Sequence, residues 1–109
     1  MIYRIVRLHF DPDFVANFLE VFTTRKSLIV SFDGCLTMKL LQDKEDPSVF
    51  FTISLWDSEE NLNQYRKSPF FQEMWSTIKP WFTSKAEAWT TFPQYEGKNL
   101  NDKASSDTD

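Results

Sequence analysis

The chain of 109 residues has little of several things that usually announce a function. One cysteine, Cys35, excludes an intrachain disulfide, and one histidine with one cysteine makes a metal cluster improbable. Two glycines in the whole chain make it neither low-complexity nor a flexible linker protein. The basic residues form no run and the net charge is -4, so the electrostatic footprint of a nucleic-acid binder is missing. No segment approaches the roughly 18 apolar residues of a membrane span. The opening "MIYRIVRLHFDPD" lacks the apolar stretch of a signal peptide, so a cytoplasmic protein without a nucleic-acid or membrane partner is expected.

What the chain has in excess is rings: aromatic residues make up 17% of it, enough for a densely packed single domain. "IYRIVRLHF" places Ile2, Val6, Leu8 and Phe10 on one parity and Tyr3, Ile5, Arg7 and His9 on the other, as a strand does. Asp11 as N-cap and Pro12 at the first helical position then start a helix whose buried stripe is Phe14, Val15, Phe18, Leu19 and Phe22. Leu28, Ile29 and Phe32 either extend that helix or pack as a loop, and Gly34 marks a turn. Arg25 and Lys26 near the helix end suit its dipole.

"CLTMKLLQ" (35–42) and "VFFTISLW" (49–56) read as two strands of a hairpin around the polar turn "DKEDPS". Asp57 and Glu60 suggest a capping box for the next helix, whose inner face carries Leu62 and Tyr65. Pro69, with Ser68 as cap, restarts the helix, and Phe71, Met74, Trp75 and Ile78 follow at helical spacing. Pro80 bends or ends it near Trp81 and Phe82, and "KAEAWTTF" (85–92) reads as a fourth strand. Residues 96–109 hold four acids and two lysines with almost no apolar residue, so a domain over 1–95 and a disordered tail over 96–109 are expected.

Strand, helix, strand, strand, helix, strand is the order of a ferredoxin-like α+β domain with a four-stranded antiparallel sheet and both helical segments on one face. Alternation along the third strand turns Val49, Phe51, Ile53 and Leu55 toward the helices and leaves Phe50, Thr52, Ser54 and Trp56 outside. Large rings mixed with Arg and Thr on an outer face suit an interface, which predicts a homodimer packed through its sheets. Trp56 then reads as a dimer anchor or as a pocket wall.

The phrase "SLWDSEENLNQYRKSPFFQEMW", with Trp56, Ser58, Glu59, Tyr65, Ser68 and Phe71, resembles the antibiotic biosynthesis monooxygenase superfamily. The "SFDG" turn at Ser31 to Gly34 and "AEAW" at Ala86 to Trp89 are similar to it too, so the resemblance spans roughly residues 1 to 92. It implies a dimeric α+β barrel and, in its cofactor-free branch, oxygenation of a small aromatic or quinol-like molecule in which the substrate supplies the electrons. No cofactor is expected on that reading. His9 is the candidate general base by type, Arg4 or Arg66 would stabilise a phenolate, Tyr65 would hydrogen-bond the ring oxygen, and Trp56, Phe71 and Trp75 would wall the ligand. If Arg4 shares a face with Ile2 and Val6, His9 points the other way, and both line one pocket only across a bulge.

The haem-degrading branch of the superfamily uses an Asn on the first strand with a Trp and a His on the helix after the third. By spacing from Trp56, Tyr65 stands at that Trp and Trp75 at that His, and "IYRIVRLHF" contains no Asn, so haem degradation is disfavoured. A non-catalytic ligand-binding or stress-related dimer is the rival reading, and haem binding without degradation a weaker one.

Overall fold

The computed structural model describes residues 1–101. Its strands are β1 (Ile2–His9), β2 (Cys35–Gln42), β3 (Val49–Trp56) and β4 (Glu87–Thr91), and its helices α1 (Val15–Ile29), α2 (Glu59–Lys67) and α3 (Pro69–Ile78). The sheet is antiparallel in the order β2-β3-β1-β4, which is the ferredoxin-like α+β arrangement. No helix among the described residues is long and apolar enough to cross a membrane. Of the expected tail, residues 102–109 lie outside the described residues. Just ahead of them the Tyr3 hydroxyl donates to a Glu96 carboxylate oxygen at 2.5 Å.

Side chains end and start the helices much as their chemistry dictates. Asp11 accepts from the Asp13 amide and caps a single 3-10 turn, Pro12–Phe14, that leads into α1. α1 runs on to Ile29, which is buried, and Phe32 packs beyond it as a loop residue. Of the expected stripe, Phe18 is buried and Val15 and Phe22 pack partly, whereas Phe14 and Leu19 lie exposed. The 3-10 turn rotates Phe14 away from the stripe, and its ring stacks on Trp81 instead.

The capping box at Asp57 and Glu60 is corrected by one residue. Ser58 is the N-cap of α2, accepting from the Asn61 amide, while Asp57 accepts from the Asn61 side chain. Asp57 is held one position early because its own amide donates to the Gly34 carbonyl at 2.9 Å. At the α2/α3 joint Ser68 acts as predicted: its hydroxyl accepts from the Phe71 amide and donates to the Tyr65 carbonyl. β4 is shorter than the 85–92 expected, ending at Thr91.

The parity of β3 is the larger correction. Its residues Trp56, Ser54, Thr52 and Phe50 stand opposite Ile2, Arg4, Val6 and Leu8 of β1 and share their helix-facing side. Trp56 and Phe50 are core residues, at 0% and 2% exposure, and Phe51, Ile53 and Leu55 lie on the outer face. Alternation could not decide the matter, because "VFFTISLW" carries large apolar groups on both parities. The paired strand decides it, since Ile2, Val6 and Leu8 must face the helices.

Two apolar clusters result. One gathers Trp56, Tyr65, Leu62 and Met74 with Ile2 and Ile29, the other Phe10, Phe18, Phe50 and Leu8 with Ile78. Gly34, at φ +84°, lets the α1–β2 turn close against the start of α2: a Cβ there would lie 2.5 Å from Asp57 Oδ1 and 2.6 Å from Asn61 Cβ. Gly34→Ala is therefore expected to cost about 1–3 kcal/mol or more. Urea unfolding checks this, with a lowered midpoint at an unchanged slope.

Candidate functional site

Between the inner face of the sheet and the three helices lies a cavity of about 310 Å³, at the small end of the range for ligand pockets. The β1/β3 register builds its floor, setting Arg4, Val6, Thr52, Ser54 and Trp56 on one side of the sheet. Helical spacing builds the roof, as Leu62 and Tyr65 come from α2 and Phe71, Met74 and Trp75 from α3. Ala86 and Ala88 close the side next to β4; small residues there leave the space open.

The rings form a continuous run. Trp56 stacks on Tyr65 with centroids 5.2 Å apart, Tyr65 meets Phe71 edge-on at 5.1 Å, Phe71 stacks on Trp75 at 5.8 Å, and Trp75 meets Phe82 edge-on at 5.6 Å. Such offset and edge-to-face pairs contribute beyond their buried area. Ser68 keeps the run continuous across the α2/α3 break, because it caps α3 while holding the Tyr65 carbonyl. These rings are thus both core and wall.

Polar groups are few and connected. Trp56 Nε1 donates to Ser54 Oγ at 2.9 Å, Ser54 Oγ donates to the Arg4 carbonyl at 3.5 Å, and Arg4 Nη1 donates to Thr90 Oγ1 at 2.8 Å. This chain ties β3, β1 and β4 together behind the rings. Arg4 is partly buried, and burial first, then the nearby Arg66 charge, lowers its pKa from the ordinary arginine value. It stays a cation at neutral pH. Arg66 lies exposed on the last turn of α2 at the cavity rim.

Burial, then the neighbouring Cys35 thiol, pushes the Tyr65 hydroxyl well above its ordinary pKa. Tyr65 is therefore neutral through the physiological range and exchanges hydrogen bonds rather than protons. The residues lining the cavity include no His, Asp or Glu. Among the described residues no three His, Cys, Asp or Glu side chains lie together as metal ligands.

The structure gathers Arg4, Tyr65, Trp56, Phe71 and Trp75 around this one cavity, with Arg66 at its rim. Trp56 is a wall residue and not an outer-face anchor, because its strand parity is the reverse of the one expected. His9 is set apart. It takes the parity opposite to Arg4 and does not line the cavity, and its Nε2 lies 3.6 Å from Asp46 Oδ2 at the β2–β3 turn. Hydrogen bonds from Ser48 hold the Asp46 carboxyl below its ordinary range. No bulge interrupts β1 to bring His9 round. Ser54 and Thr90 were not singled out from the sequence, although each is polar and stands opposite Arg4 in the register.

Because Trp56 is fully buried, Trp56→Phe should cost about 1–3 kcal/mol through the space left and the lost hydrogen bond. Ser54→Ala should cost a similar amount by stranding the indole N–H. The double variant should cost less than the sum of the two, which a double-mutant cycle of urea unfolding measures.

No curated protein matches the chain in sequence. Its fold is similar to that of several solved structures. A Nitrosomonas europaea protein provisionally named an antibiotic biosynthesis monooxygenase matches with TM-score 0.81 at 16% identity, over 87% of this chain and 100% of that one. Rv0793 from Mycobacterium tuberculosis matches with TM-score 0.81 at 16% identity, over 89% and 98%. A conserved protein from Methanosarcina mazei Go1 matches with TM-score 0.77 at 20% identity, over 83% and 90%. At such identities the likeness concerns the fold. The sequence profile described as antibiotic biosynthesis monooxygenase matches residues 1–75, more than half of the 109, and the chain belongs to that family.

Proposed function

We propose that the cavity binds a small aromatic or quinol-like molecule and that the protein catalyses its oxygenation by molecular oxygen, with the substrate as the electron source. The observation that carries this reading is a ring-lined cavity in which the charged wall groups, Arg4 and Arg66, are both cations. Family membership supports the reaction class.

The chemistry follows from what these side chains can do. A free phenol has a pKa near 10, as in tyrosine, so it is mostly protonated at neutral pH. A guanidinium held in a partly dry pocket favours the phenolate, by about 1.4 kcal/mol for each pKa unit of lowering. The proton passes to water at the cavity mouth, since no wall residue is a base in the neutral range. Thr90 holds one arm of Arg4, so the charge is in place before the anion forms.

The electron-rich phenolate then gives electrons to oxygen. For a phenol bearing hydrogen on the para carbon, one oxygen atom enters as the second quinone oxygen and the other leaves as water. The ring loses four electrons, and the two displaced hydrogens end in that water. Trp56, Tyr65, Phe71 and Trp75 would hold the ring face to face or edge-on, which orients it without charge.

The lack of a wall base also favours the rival reading, a binding protein without turnover. Haem binding gains nothing from a wall that offers no imidazole.

The outer sheet face supports a homodimer. Ile5, Phe51, Ile53 and Leu55 share it with Leu41 and Trp89, and Leu41 and Trp89 are each 45% exposed. An outer face with this many apolar side chains, interrupted by Arg7 and Lys39, suits an interaction surface, and family members are commonly dimeric. Light scattering should return twice the chain mass, and Trp89→Glu should shift it toward one.

Oxygen uptake with 1-naphthol, with 1,4-naphthoquinone as the product, tests the activity. Arg4→Gln should lower kcat roughly 10- to 100-fold, and His9→Ala should leave it within about twofold. Uptake no faster than in buffer, with stabilisation by the same compound, would instead establish the binding protein.

A further inference from the structure

The chain has four arginines, and the fold divides them into two kinds. Arg7 lies 3.7 Å from Glu87 and Arg25 lies 3.0 Å from Glu73, both away from the cavity. Arg4 and Arg66, on the cavity wall, have no carboxylate within ion-pair distance among the described residues. Yet the protein has 16 acids against 12 basic residues, so counter-charges are not scarce. The two guanidinium groups line one cavity, where the Arg66 charge bears on Arg4. An unbalanced like-charge pair beside an apolar cavity is unfavourable in the empty protein, and an anion between the two relieves it.

A neutral phenol cannot do this on arrival, because its charge appears only after its proton has gone. A carboxylate brings its charge with it, and its two coplanar oxygens match the fork of a guanidinium. Thr90 occupies one Nη1 hydrogen of Arg4 and leaves the rest of the fork for a ligand.

We propose that the cavity selects an aromatic carboxylate, its ring among Trp56, Tyr65, Phe71 and Trp75 and its carboxylate shared by Arg4 and Arg66. This rests on the reading of the cavity as the ligand site and narrows its ligand to aromatic acids that also carry the phenol oxidised in that reading. Arg66 is then a specificity residue at the rim and Arg4 the inner half of the anion clamp.

Calorimetric titration with 2-naphthoate and 2-naphthol at pH 7 tests the proposal, since the two differ in the group carried on one ring system. The expected result is 2-naphthoate binding at least roughly tenfold tighter than 2-naphthol. Arg4→Gln and Arg66→Gln should each weaken 2-naphthoate more than 2-naphthol, and the double variant should remove the preference. Arg66→Gln changes an exposed side chain and keeps the test standing if Arg4→Gln fails to fold. Equal affinity for the two compounds would overturn the carboxylate clamp and leave the ring pocket intact. A carboxylate preference that survives both substitutions would overturn the assignment to Arg4 and Arg66. No binding of either compound would overturn the clamp together with the reading of the cavity as a ligand site.

Discussion

Pairing of Ile2 with Trp56 across β1 and β3 is the constraint on which the rest depends. That register turns Trp56 inward, where it meets Tyr65, and aligns Ser54 with Arg4 behind it. It also turns Phe51, Ile53 and Leu55 outward, which gives the sheet a second apolar face. A slip of one residue would exchange the two faces: Arg4 would stand over Leu55 or Ile53 and the Trp56–Ser54 hydrogen bond would no longer back the cavity.

Much of the fold can be read from the chain itself. Local chemistry settles Asp11 as a cap, Ser68 and Pro69 as the break between α2 and α3, and the hairpin of β2 and β3. These features depend on a few neighbouring residues. The parity of β3 does not, since its own residues are apolar on both sides and only the partner strand distinguishes them. The start of α2 is likewise a long-range matter, because Gly34 reaches Asp57 from another part of the chain and leaves the capping to Ser58.

The candidate site was legible to the extent that it depends on strand and helix period. Tyr65, Phe71 and Trp75 meet because helical spacing and the Ser68 joint bring them to one side. Side-chain type alone points to His9, and its place on the strand excludes it from the cavity. The contribution of Thr90 could not be read from β4, whose sequence gives no reason for its alignment with Arg4. Charge placement is a property of the folded molecule too. The acids that balance Arg7 and Arg25 come from β4 and α3, distant in sequence.

The Ser68 joint has an evolutionary consequence. Its hydroxyl donates to the Tyr65 carbonyl and accepts from the Phe71 amide, both backbone groups, and Pro69 restricts the next dihedral. The angle between α2 and α3 is therefore set by the main chain and not by the rings that hang from it. Substitutions among those rings can reshape the cavity one side chain at a time while the bend of its wall is inherited unchanged. A descendant of this chain can acquire a differently shaped cavity without first having to relearn its fold.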